Sequence, residues 1–339
     1  MPDATATDCA SPTPPAQDRN DAGLPLRPLG RTGLEVSIIG LGGGHMARPA
    51  VSEQDSIRLV QTAVDEGVTF FDNAWEYWGG ESERRMGLAL SAGGRRDRIV
   101  LMTKCCGRDR RTAEVHLDES LRRLQTDRID VWQFHEMNYD NDPDWIFAAG
   151  GAIEAALAAK QAGKVRFIGF TGHKSPHILL KLLARDFEWD TCQLPVNVMD
   201  AHYRSFQNEV LPELVRRGIA PLGMKSLGGE AQLVTQAGLT PRECRRFALS
   251  LPISTLICGM QTLDDLRQDL AIARDFTPLP DAERDELLAR VRPQAGDGRY
   301  EWFKSTQYFD SPLHREQHGF PPIGHVSQRG PEPKPMSPA

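Results

Sequence analysis

Short apolar runs alternate with stretches of helical periodicity along most of the 339-residue chain. Within each run the apolar residues follow one another directly, a pattern typical of strands that are buried on both faces of a parallel sheet. The stretches between them carry apolar residues three and four positions apart, which predicts amphipathic helices. The runs predict strands at residues 36–40, 68–71, 99–103, 129–134, 165–170, 191–194, 219–224 and 255–258.

The ends of the predicted helices carry signals of their own. Thr240 is followed by Pro241 and Glu243, which is a capping-box start with proline in the first turn. Gly67 and Gly218 close two of the helices, since glycine tolerates the backbone conformation that ends a helix. Eight strand–helix units over about 240 residues favour the α/β class and a single (β/α)8 or TIM barrel over two domains.

Two further features lie outside the eight units. Residues 26–36 have a Gly-Arg-Thr-Gly centre between apolar flanks, which predicts an N-terminal β-hairpin. A helix at residues 281–291 and an aromatic stretch to Phe320 predict a C-terminal helical and loop extension. We therefore expect a barrel domain at residues 26–320, a disordered tail at residues 1–25, and a flexible proline-rich tail at residues 321–339.

The composition is that of a globular protein. Hydrophobic residues make up 40% and charged residues 25% of the chain, as in an ordinary soluble domain. The net charge of −6 argues against a nucleic-acid partner, which requires a basic face. No apolar run reaches the roughly 18 residues that span a membrane. The six cysteines are scattered and the N-terminus has no signal-peptide pattern, so we expect a cytoplasmic protein. We expect it to be either a monomer or a small homo-oligomer.

Four ionisable side chains follow three successive predicted strands. Asp72 and Tyr77 come after the second strand, Lys104 after the third and His135 after the fourth. In a barrel of this type the active site lies at the carboxyl ends of the strands. We therefore expect the four groups to meet in one site.

This set of groups can polarise and protonate a carbonyl. A phenol has an ordinary pKa of about 10, which is too high for fast proton donation at neutral pH. We expect Lys104, anchored by Asp72, to lower the pKa of Tyr77 by favouring the phenolate. His135 can donate a hydrogen bond to the carbonyl oxygen, and a hydride from a nicotinamide is one group that can attack the carbon.

The chain also resembles a known family in a series of motifs. They are LGRTGLEVSIIGLGGG, FFDNAWEYWGGESERRMGLAL, LMTK, IDVWQFHE, GKVRFIGFTGHK, TCQLPVNVMDAH and GMKSLGGE. In this order and at these spacings, over residues 26–273, they resemble the aldo-keto reductase superfamily. The resemblance implies a (β/α)8 barrel and an NADP(H)-dependent reductase of aldehyde and ketone carbonyls.

The resemblance also implies roles for individual residues. Tyr77 would be the general acid in reduction and the base in oxidation, tuned by Lys104 and Asp72. His135 would orient the carbonyl. The residues implied to bind the cofactor are Thr171, Gln193, Met224, Lys225, Leu227, Gly229, Gly259, Arg267 and Gln268. The residues expected to line the substrate pocket are His45, Trp75, Trp78 and Glu136.

Several positions depart from the family pattern. The family usually has Asn where this chain has Gly172, so one amide contact is either missing or supplied by His173. Relatives that prefer NADPH often place Lys and Arg where this chain has Gly259 and Asp265. We predict NADP(H), with Arg267 as the ligand of the 2′-phosphate, and NADH is the alternative.

Other classes of function stay open. One is a cofactor-binding redox sensor or regulatory subunit with little turnover, although the intact set of four ionisable residues speaks against it. Another is an NAD-dependent sugar or alcohol dehydrogenase. A metal-dependent hydrolase on the same barrel would need clustered ligands such as His-x-His after the first strand, and the sequence has none there. We therefore predict no metal site.

Overall fold

The computed structural model describes residues 18–307 and 309–320. Its strands are β1 (Leu26–Pro28), β2 (Glu35–Ser37), β3 (Ile39–Gly42), β4 (Phe70–Asp72), β5 (Val100–Cys105), β6 (Ile129–Phe134), β7 (Val165–Thr171), β8 (Thr191–Pro195), β9 (Ala220–Met224) and β10 (Thr255–Gly259). The predicted hairpin is formed by β1 and β2, which pair antiparallel with Leu26 opposite Ser37. The remaining strands form a closed parallel barrel in which β10 returns to pair with β3. The (β/α)8 prediction is confirmed.

Helices connect the strands. They are α1 (Gly43–Met46), α2 (Glu53–Asp65), α3 (Glu81–Leu90), α4 (Arg110–Leu124), α5 (Asp142–Phe147), α6 (Ala152–Gln161), α7 (Pro176–Leu183), α8 (Phe206–Glu209), α9 (Leu211–Arg217), α10 (Gln232–Thr235), α11 (Pro241–Ser250), α12 (Leu263–Arg274), α13 (Asp281–Ala295), α14 (Trp302–Ser305) and α15 (Pro312–Gln317). The predicted capping box of Thr240 with Glu243 is present. The single helix predicted at residues 207–217 is two, α8 and α9, because Pro212 lacks the N–H that a continuous helix requires. Within the described residues, every helix is too short or too polar to cross a membrane.

The first predicted strand, residues 36–40, is divided between the hairpin and the barrel. The Ser37 N–H donates to Thr69 Oγ1 at 2.8 Å, and Ser37 Oγ donates to the carbonyl of Ile39 at 2.7 Å. These bonds link Ser37, the last residue of β2, to Thr69 and to Ile39, the first residue of β3. The chain therefore turns between β2 and β3, and the barrel strand begins at Ile39.

Side chains on each barrel strand alternate between the interior and the helix-covered exterior. Phe70 belongs to the interior cluster with Met102, whereas Phe71 belongs to the larger cluster outside the barrel. The same alternation directs Asp72 and Lys104 inward, close to the carboxyl ends of β4 and β5. Because the interior below them is filled with apolar side chains, the polar groups collect at this end of the barrel.

The residues that precede the hairpin pack on the barrel. Leu24 is fully buried, and Arg19 Nη1 donates to the carbonyl of Arg274 at 2.9 Å. Residues 18–25 of the predicted N-terminal tail are therefore in contact with the domain. The rest of that tail, residues 1–17, and the predicted C-terminal tail, residues 321–339, lie outside the described residues.

The C-terminal segment, which we define as residues 297–307 and 309–320, lies across the carboxyl ends of the strands. Asp310 pairs with Lys174, which follows β7, at 2.7 Å. Gln317 Nε2 donates to the carbonyl of Cys106, which follows β5, at 2.9 Å. The predicted C-terminal extension thus covers the end of the barrel at which the active site is expected.

A buried lysine anchors this segment. The side chain of Lys304 is fully buried, and its Nζ pairs with Asp200 Oδ1 at 2.6 Å and with Glu301 Oε1 at 2.9 Å. The carbonyl of Tyr203 accepts a further bond from Nζ at 2.8 Å. The ammonium therefore joins α14 to the loop that follows β8.

Lys304→Met should destabilise the fold because it leaves two buried carboxylates without their cation. We expect the free energy of unfolding to fall by about 3–5 kcal/mol, measured as a lower urea midpoint. Lys160→Met is the matched control, since Lys160 is 44% exposed where it pairs with Asp190 and such pairs contribute about 1 kcal/mol or less. Equal midpoints for the two variants would contradict the anchoring role.

Candidate active site

Three of the predicted catalytic residues form one hydrogen-bonded chain. β4 ends at Asp72, and Lys104 lies on the neighbouring strand β5 with its Nζ bonded to Asp72 Oδ1. The same Nζ donates to the carbonyl of Asn73 at 2.7 Å and lies 3.4 Å from Tyr77 Oη. Lys104 is 1% exposed, so the ammonium is held among these partners and away from solvent.

His135 joins the chain from the next strand. It follows β6, and its backbone N–H donates to the carbonyl of Cys105 at 2.8 Å. The imidazole packs edge-on against the phenol of Tyr77, with ring centroids 5.6 Å apart. The structure thus brings the four predicted side chains together at the ends of β4, β5 and β6.

The electrostatic environment of the phenol differs from the prediction. Burial raises the pKa of Tyr77 well above its ordinary value, and the negative charges of Asp72, Glu76 and Glu136 raise it further. The charge of Lys104 is already balanced by Asp72. The net shift of the Tyr77 pKa is therefore upward, opposite to the decrease expected from Lys104 alone.

Glu76 is a member of the site that the sequence analysis missed. Its Oε1 accepts a hydrogen bond from His135 Nδ1 at 2.8 Å. Burial alone would raise the pKa of Glu76, but the positive charge that His135 can carry lowers it. Burial lowers the pKa of His135, against the attraction of Glu76. The signal that points to Glu76 is its place in the short loop between Asp72 and Tyr77.

The C-terminal segment contributes His314 to the same cluster. Arg108 Nη2 lies 3.3 Å from His314 Nδ1, and it donates to the carbonyls of His135 and Glu136 at 2.9 Å each. His314 Nε2 lies 3.9 Å from Glu76 Oε1 and 3.8 Å from Glu136 Oε2. His314 follows Glu76 by more than 200 residues, so local sequence patterns gave no sign of this contact.

Three residues of the predicted site have a strained backbone. Trp78, Glu136 and Lys225 are non-glycine residues with φ values of 56°, 47° and 59°, a conformation that L-residues rarely adopt. All three are among the predicted site residues. Arg108 holds Glu136 in this conformation through the two carbonyl bonds. Strain of this kind collects at functional sites.

Side chains of the types that bind zinc also lie together here. Atoms of Glu76, Cys106, His135 and His314 lie within 4.8 Å of one another. Arginine has no hydrogen-bond acceptor, so His314 Nδ1 must accept from Arg108 and its Nε2 must carry the hydrogen. The Nδ1–H of His135 is already bonded to Glu76. His135 and Glu76 therefore satisfy each other, whereas His314 Nε2 has no hydrogen-bond partner within the described residues.

Two predicted cofactor residues lie beside the catalytic chain. Thr171 and Gln193 are opposite each other on β7 and β8. Gln193 Nε2 donates to Asp72 Oδ2 at 3.1 Å, whereas its Oε1 is buried and has no partner within the described chain. This free acceptor fits the amide N–H of a nicotinamide carboxamide.

The loop after β9 contains the predicted phosphate ligands, and the C-terminal segment covers it. Lys225 Nζ lies 4.4 Å from the ring centroid of Phe309 and 5.3 Å from that of Phe303. A Cβ at Gly229 would lie 2.6 Å from the Phe309 ring. Burial lowers the pKa of Lys225 to about 8. Of the neighbouring predicted residues, Met224 packs on the barrel interior and Leu227 packs with the outer cluster around Leu233.

Three further predicted cofactor residues, Gly259, Arg267 and Gln268, lie at the end of β10 and on α12. His45 fills the space above Gly259, since a Cβ there would lie 2.4 Å from His45 Nδ1. Burial lowers the pKa of His45 to about 4, so its ring is neutral at pH 7. Arg267 pairs with Asp264 at 2.7 Å on the exposed face of α12, and Gln268 is also exposed.

The two tryptophans predicted for the substrate pocket have different surroundings. The Trp75 ring stacks on His116, 3.6 Å between centroids, and its Nε1 donates to Glu119 at 2.7 Å. These contacts place Trp75 against α4, so they do not support a role in substrate binding. Trp78 Nε1 donates to the carbonyl of Gly44 at 2.7 Å, which connects the loop after β4 to α1.

Comparison with known proteins places the chain in a family. The sequence model described as the Aldo/keto reductase family matches residues 38–280. L-galactose dehydrogenase of Arabidopsis thaliana is 38% identical over 159 residues, which are 44% of this chain and 49% of that protein. Aldo-keto reductase YhdN of Bacillus subtilis is 33% identical over 198 residues, which are 53% of this chain and 55% of that protein. The matches thus span about half the length of these two relatives.

A solved structure agrees in fold. Aldo-keto reductase AKR11C1 from Bacillus halodurans, in its holo form, superimposes with a TM-score of 0.66 at 23% identity, over 79% of this chain and 96% of that chain. At this identity the likeness supports the fold alone. The family match covers well over half of the sequence, and the chain therefore belongs to the aldo/keto reductase family.

Proposed function

We propose that this protein is an oxidoreductase that reduces an aldehyde or ketone to an alcohol with NADP(H), and that Tyr77 is its general acid. The observation that carries the proposal is the convergence of Asp72, Lys104, Tyr77 and His135 in one buried cluster. Membership of the aldo/keto reductase family supports oxidoreductase chemistry.

The phenol and the ammonium handle the proton. A bound nicotinamide supplies the hydride that reaches the carbonyl carbon. Tyr77 Oη donates a proton to the carbonyl oxygen in reduction and takes it back in oxidation. Lys104, 3.4 Å from this oxygen, stabilises the phenolate that is left behind. Asp72 fixes the position of Lys104.

His135 acts on the same carbonyl oxygen, and Glu76 governs how. Because Nδ1–H of His135 is bonded to Glu76, a neutral imidazole has only a lone pair at Nε2 and accepts hydrogen bonds there. Donation to a carbonyl from Nε2 therefore requires the doubly protonated ring. The charge of Glu76 favours this form, whereas burial opposes it. We propose that Glu76 is a positioning residue for His135.

The proposed cofactor contacts follow the predicted positions. Gln193 and Thr171 would hold the carboxamide, and the free acceptor of Gln193 supports this assignment. Lys225 and Gly229 would lie near the phosphates, where Phe309 now packs against both. Entry of a dinucleotide therefore requires Phe309 to move.

The choice between NADP(H) and NADH depends on the start of α12. Arg267 would bind the 2′-phosphate, since its exposed pair with Asp264 costs about 1 kcal/mol or less to break. NADH is the second candidate because Asp264 and Asp265 place two carboxylates in the first turn of α12. Carboxylates at such a position accept from a ribose hydroxyl and repel a phosphate.

The substrate and the cellular setting are proposals as well. One relative bears the name L-galactose dehydrogenase, so a sugar or alcohol dehydrogenase is an alternative for this chain. A redox sensor with little turnover is a weaker alternative, because the cluster retains every group that proton transfer needs. A cytoplasmic location is supported by the free, buried state of Cys105, Cys106, Cys192, Cys244 and Cys258.

Tyr77→Phe should abolish reduction while NADPH still binds. The variant lacks the hydroxyl that donates the proton, and we expect the rate to fall by roughly 10²–10⁴-fold. NADPH oxidation with a panel of aldehydes, ketones and sugars gives the rate, and fluorescence titration gives the cofactor affinity. No NADPH or NADH oxidation by the wild type with any carbonyl would refute the function, and a wild-type rate in the variant would refute the role of Tyr77.

Glu76→Gln should shift the pH dependence of reduction. The amide can still accept from His135 Nδ1 but has no charge, so the imidazolium loses its stabilisation and its pKa falls. The alkaline limb of kcat/KM should therefore move to lower pH. Glu83→Gln is the control, because Glu83 is a buried carboxylate on the next element, α3, that bonds Thr103 and Arg123 instead. A limb that stays in place in Glu76→Gln would argue against the positioning role.

Arg267→Ala should weaken NADPH and leave NADH nearly unchanged. Loss of a charged contact to a phosphate is expected to raise the dissociation constant of NADPH by roughly 10-fold or more. Arg284→Ala is a suitable control, since Arg284 lies on α13 and pairs with Asp281 at 2.9 Å. If the wild type binds NADH more tightly and Arg267→Ala changes neither affinity, NADH is the cofactor.

A further inference from the structure

The loop that carries Tyr77 has an unfavourable backbone conformation. We call residues 73–80, between β4 and α3, the tyrosine loop. Directly after Tyr77 three consecutive residues, Trp78, Gly79 and Gly80, have φ values of 56°, 65° and 89°. This is the left-handed region, which L-residues such as Trp78 rarely adopt. Such a backbone persists only where surrounding contacts hold it, so contacts from outside the loop must define the position of Tyr77.

One side chain contacts the tyrosine loop on both sides of Tyr77. Arg123, in the last turn of α4, donates from Nη1 to the carbonyl of Trp75 at 2.9 Å. Its guanidinium also covers Gly80, where a Cβ would lie 2.4 Å from Arg123 Cζ. Because Glu76 and Tyr77 lie between these two contacts, Arg123 limits how far both of them can move.

Trp75 fixes the same loop to α4 and to β5. Its ring stacks on His116, and Arg123 Cζ lies over the ring, 5.3 Å from its centroid. Glu119 Oε2 accepts from Trp75 Nε1 at 2.7 Å and from Arg123 Nη2 at 3.1 Å, which joins the three side chains. The backbone N–H of Trp75 donates to the carbonyl of Lys104 at 3.1 Å. The loop is therefore attached to the strand that carries the catalytic ammonium as well as to α4.

We propose that Arg123 and Trp75 are positioning residues for Glu76 and Tyr77, so that α4 sets the geometry of the proposed proton donor. The inference rests on the proposed function, because it concerns the step in which Tyr77 donates its proton. Trp75, which the sequence analysis expected in the substrate pocket, acquires the role of holding the tyrosine loop instead.

The pH dependence of reduction reports whether the tyrosine loop keeps its place. The charged and titratable groups that face His135 are Glu76, Tyr77, Asp72, Lys104, Cys106 and His314. Of these, Glu76 and Tyr77 belong to the loop. When the loop moves, Glu76 leaves His135 Nδ1 and no longer stabilises the imidazolium, so the pKa of His135 falls. The alkaline limb of kcat/KM then moves to lower pH, as expected for Glu76→Gln.

Arg123→Met tests the anchor, since it keeps an apolar stem but loses every hydrogen bond of the guanidinium. We expect kcat to fall by roughly 10- to 100-fold, because Tyr77 is misplaced relative to the carbonyl. The alkaline limb should move to lower pH, and the dissociation constant of NADPH should be nearly unchanged. In the Glu76→Gln background Arg123→Met should move the limb no further, because both substitutions remove the same interaction with His135.

Two milder variants test the anchor with less risk to the fold. Arg123→Lys should recover part of kcat, because an ammonium can donate to the carbonyl of Trp75 but lacks the planar fork that also reaches Glu119. Trp75→Phe keeps a ring on His116 and loses the N–H that bonds Glu119. It should move the limb in the same direction as Arg123→Met, to a smaller extent. The urea midpoint of every variant is measured alongside.

Arg96→Met is the matched control. Arg96 is buried to a similar degree as Arg123, pairs with Asp130 at 2.8 Å and donates to the carbonyl of Arg128 at 2.9 Å. It precedes β5, at the other end of the barrel, so its replacement should lower the urea midpoint and leave kcat and the limb at their wild-type values.

A limb that stays in place in both Arg123→Met and Trp75→Phe would overturn the inference, even where the urea midpoint falls. An equal movement in Arg96→Met would overturn it as well, since loss of stability alone would then account for the shift. Failure of the wild type to reduce any carbonyl with NADPH or NADH would instead contradict the proposed function.

Discussion

The site depends on keeping one ammonium charged inside the mouth of a barrel that is apolar below it. Lys104 is 1% exposed, and an unpaired charge at such depth costs several kcal/mol. Asp72 supplies the opposite charge from the neighbouring strand, and Asn73 and Tyr77 complete the hydrogen bonds. Because β4 and β5 pair in a fixed register, the barrel itself sets the distance between the ammonium and the carboxylate of Asp72.

The C-terminal segment provides partners for other charged groups at this end of the barrel. Asp310 balances Lys174, and the rings of Phe303 and Phe309 cover Lys225. Covering the site excludes water, and electrostatic interactions become stronger where water is excluded. The exclusion of water has two opposite consequences here. It strengthens the ion pairs, and it also makes a buried donor without a partner, such as His314 Nε2, costly.

The sequence predicted the parts of the molecule that repeat. The strand–helix alternation predicted the barrel. The positions of Asp72, Lys104 and His135 at strand ends predicted that they meet in one site, because the last residues of all the parallel strands lie at the same end of the barrel. The sequence did not predict contacts made by the segment outside the repeat, such as His314 beside Glu76. It also did not predict the upward shift of the Tyr77 pKa, since burial and the distances to the neighbouring carboxylates are set only by the fold.

The raised pKa of Tyr77 affects the two directions of the proposed reaction differently. Burial, Asp72, Glu76 and Glu136 all oppose the phenolate, so the phenol keeps its proton at neutral pH. Reduction begins with a protonated donor and transfers the proton to a developing alkoxide, which is a stronger base than phenolate, so a raised pKa does not prevent the step. Oxidation begins with the phenolate, the form that the three carboxylates disfavour.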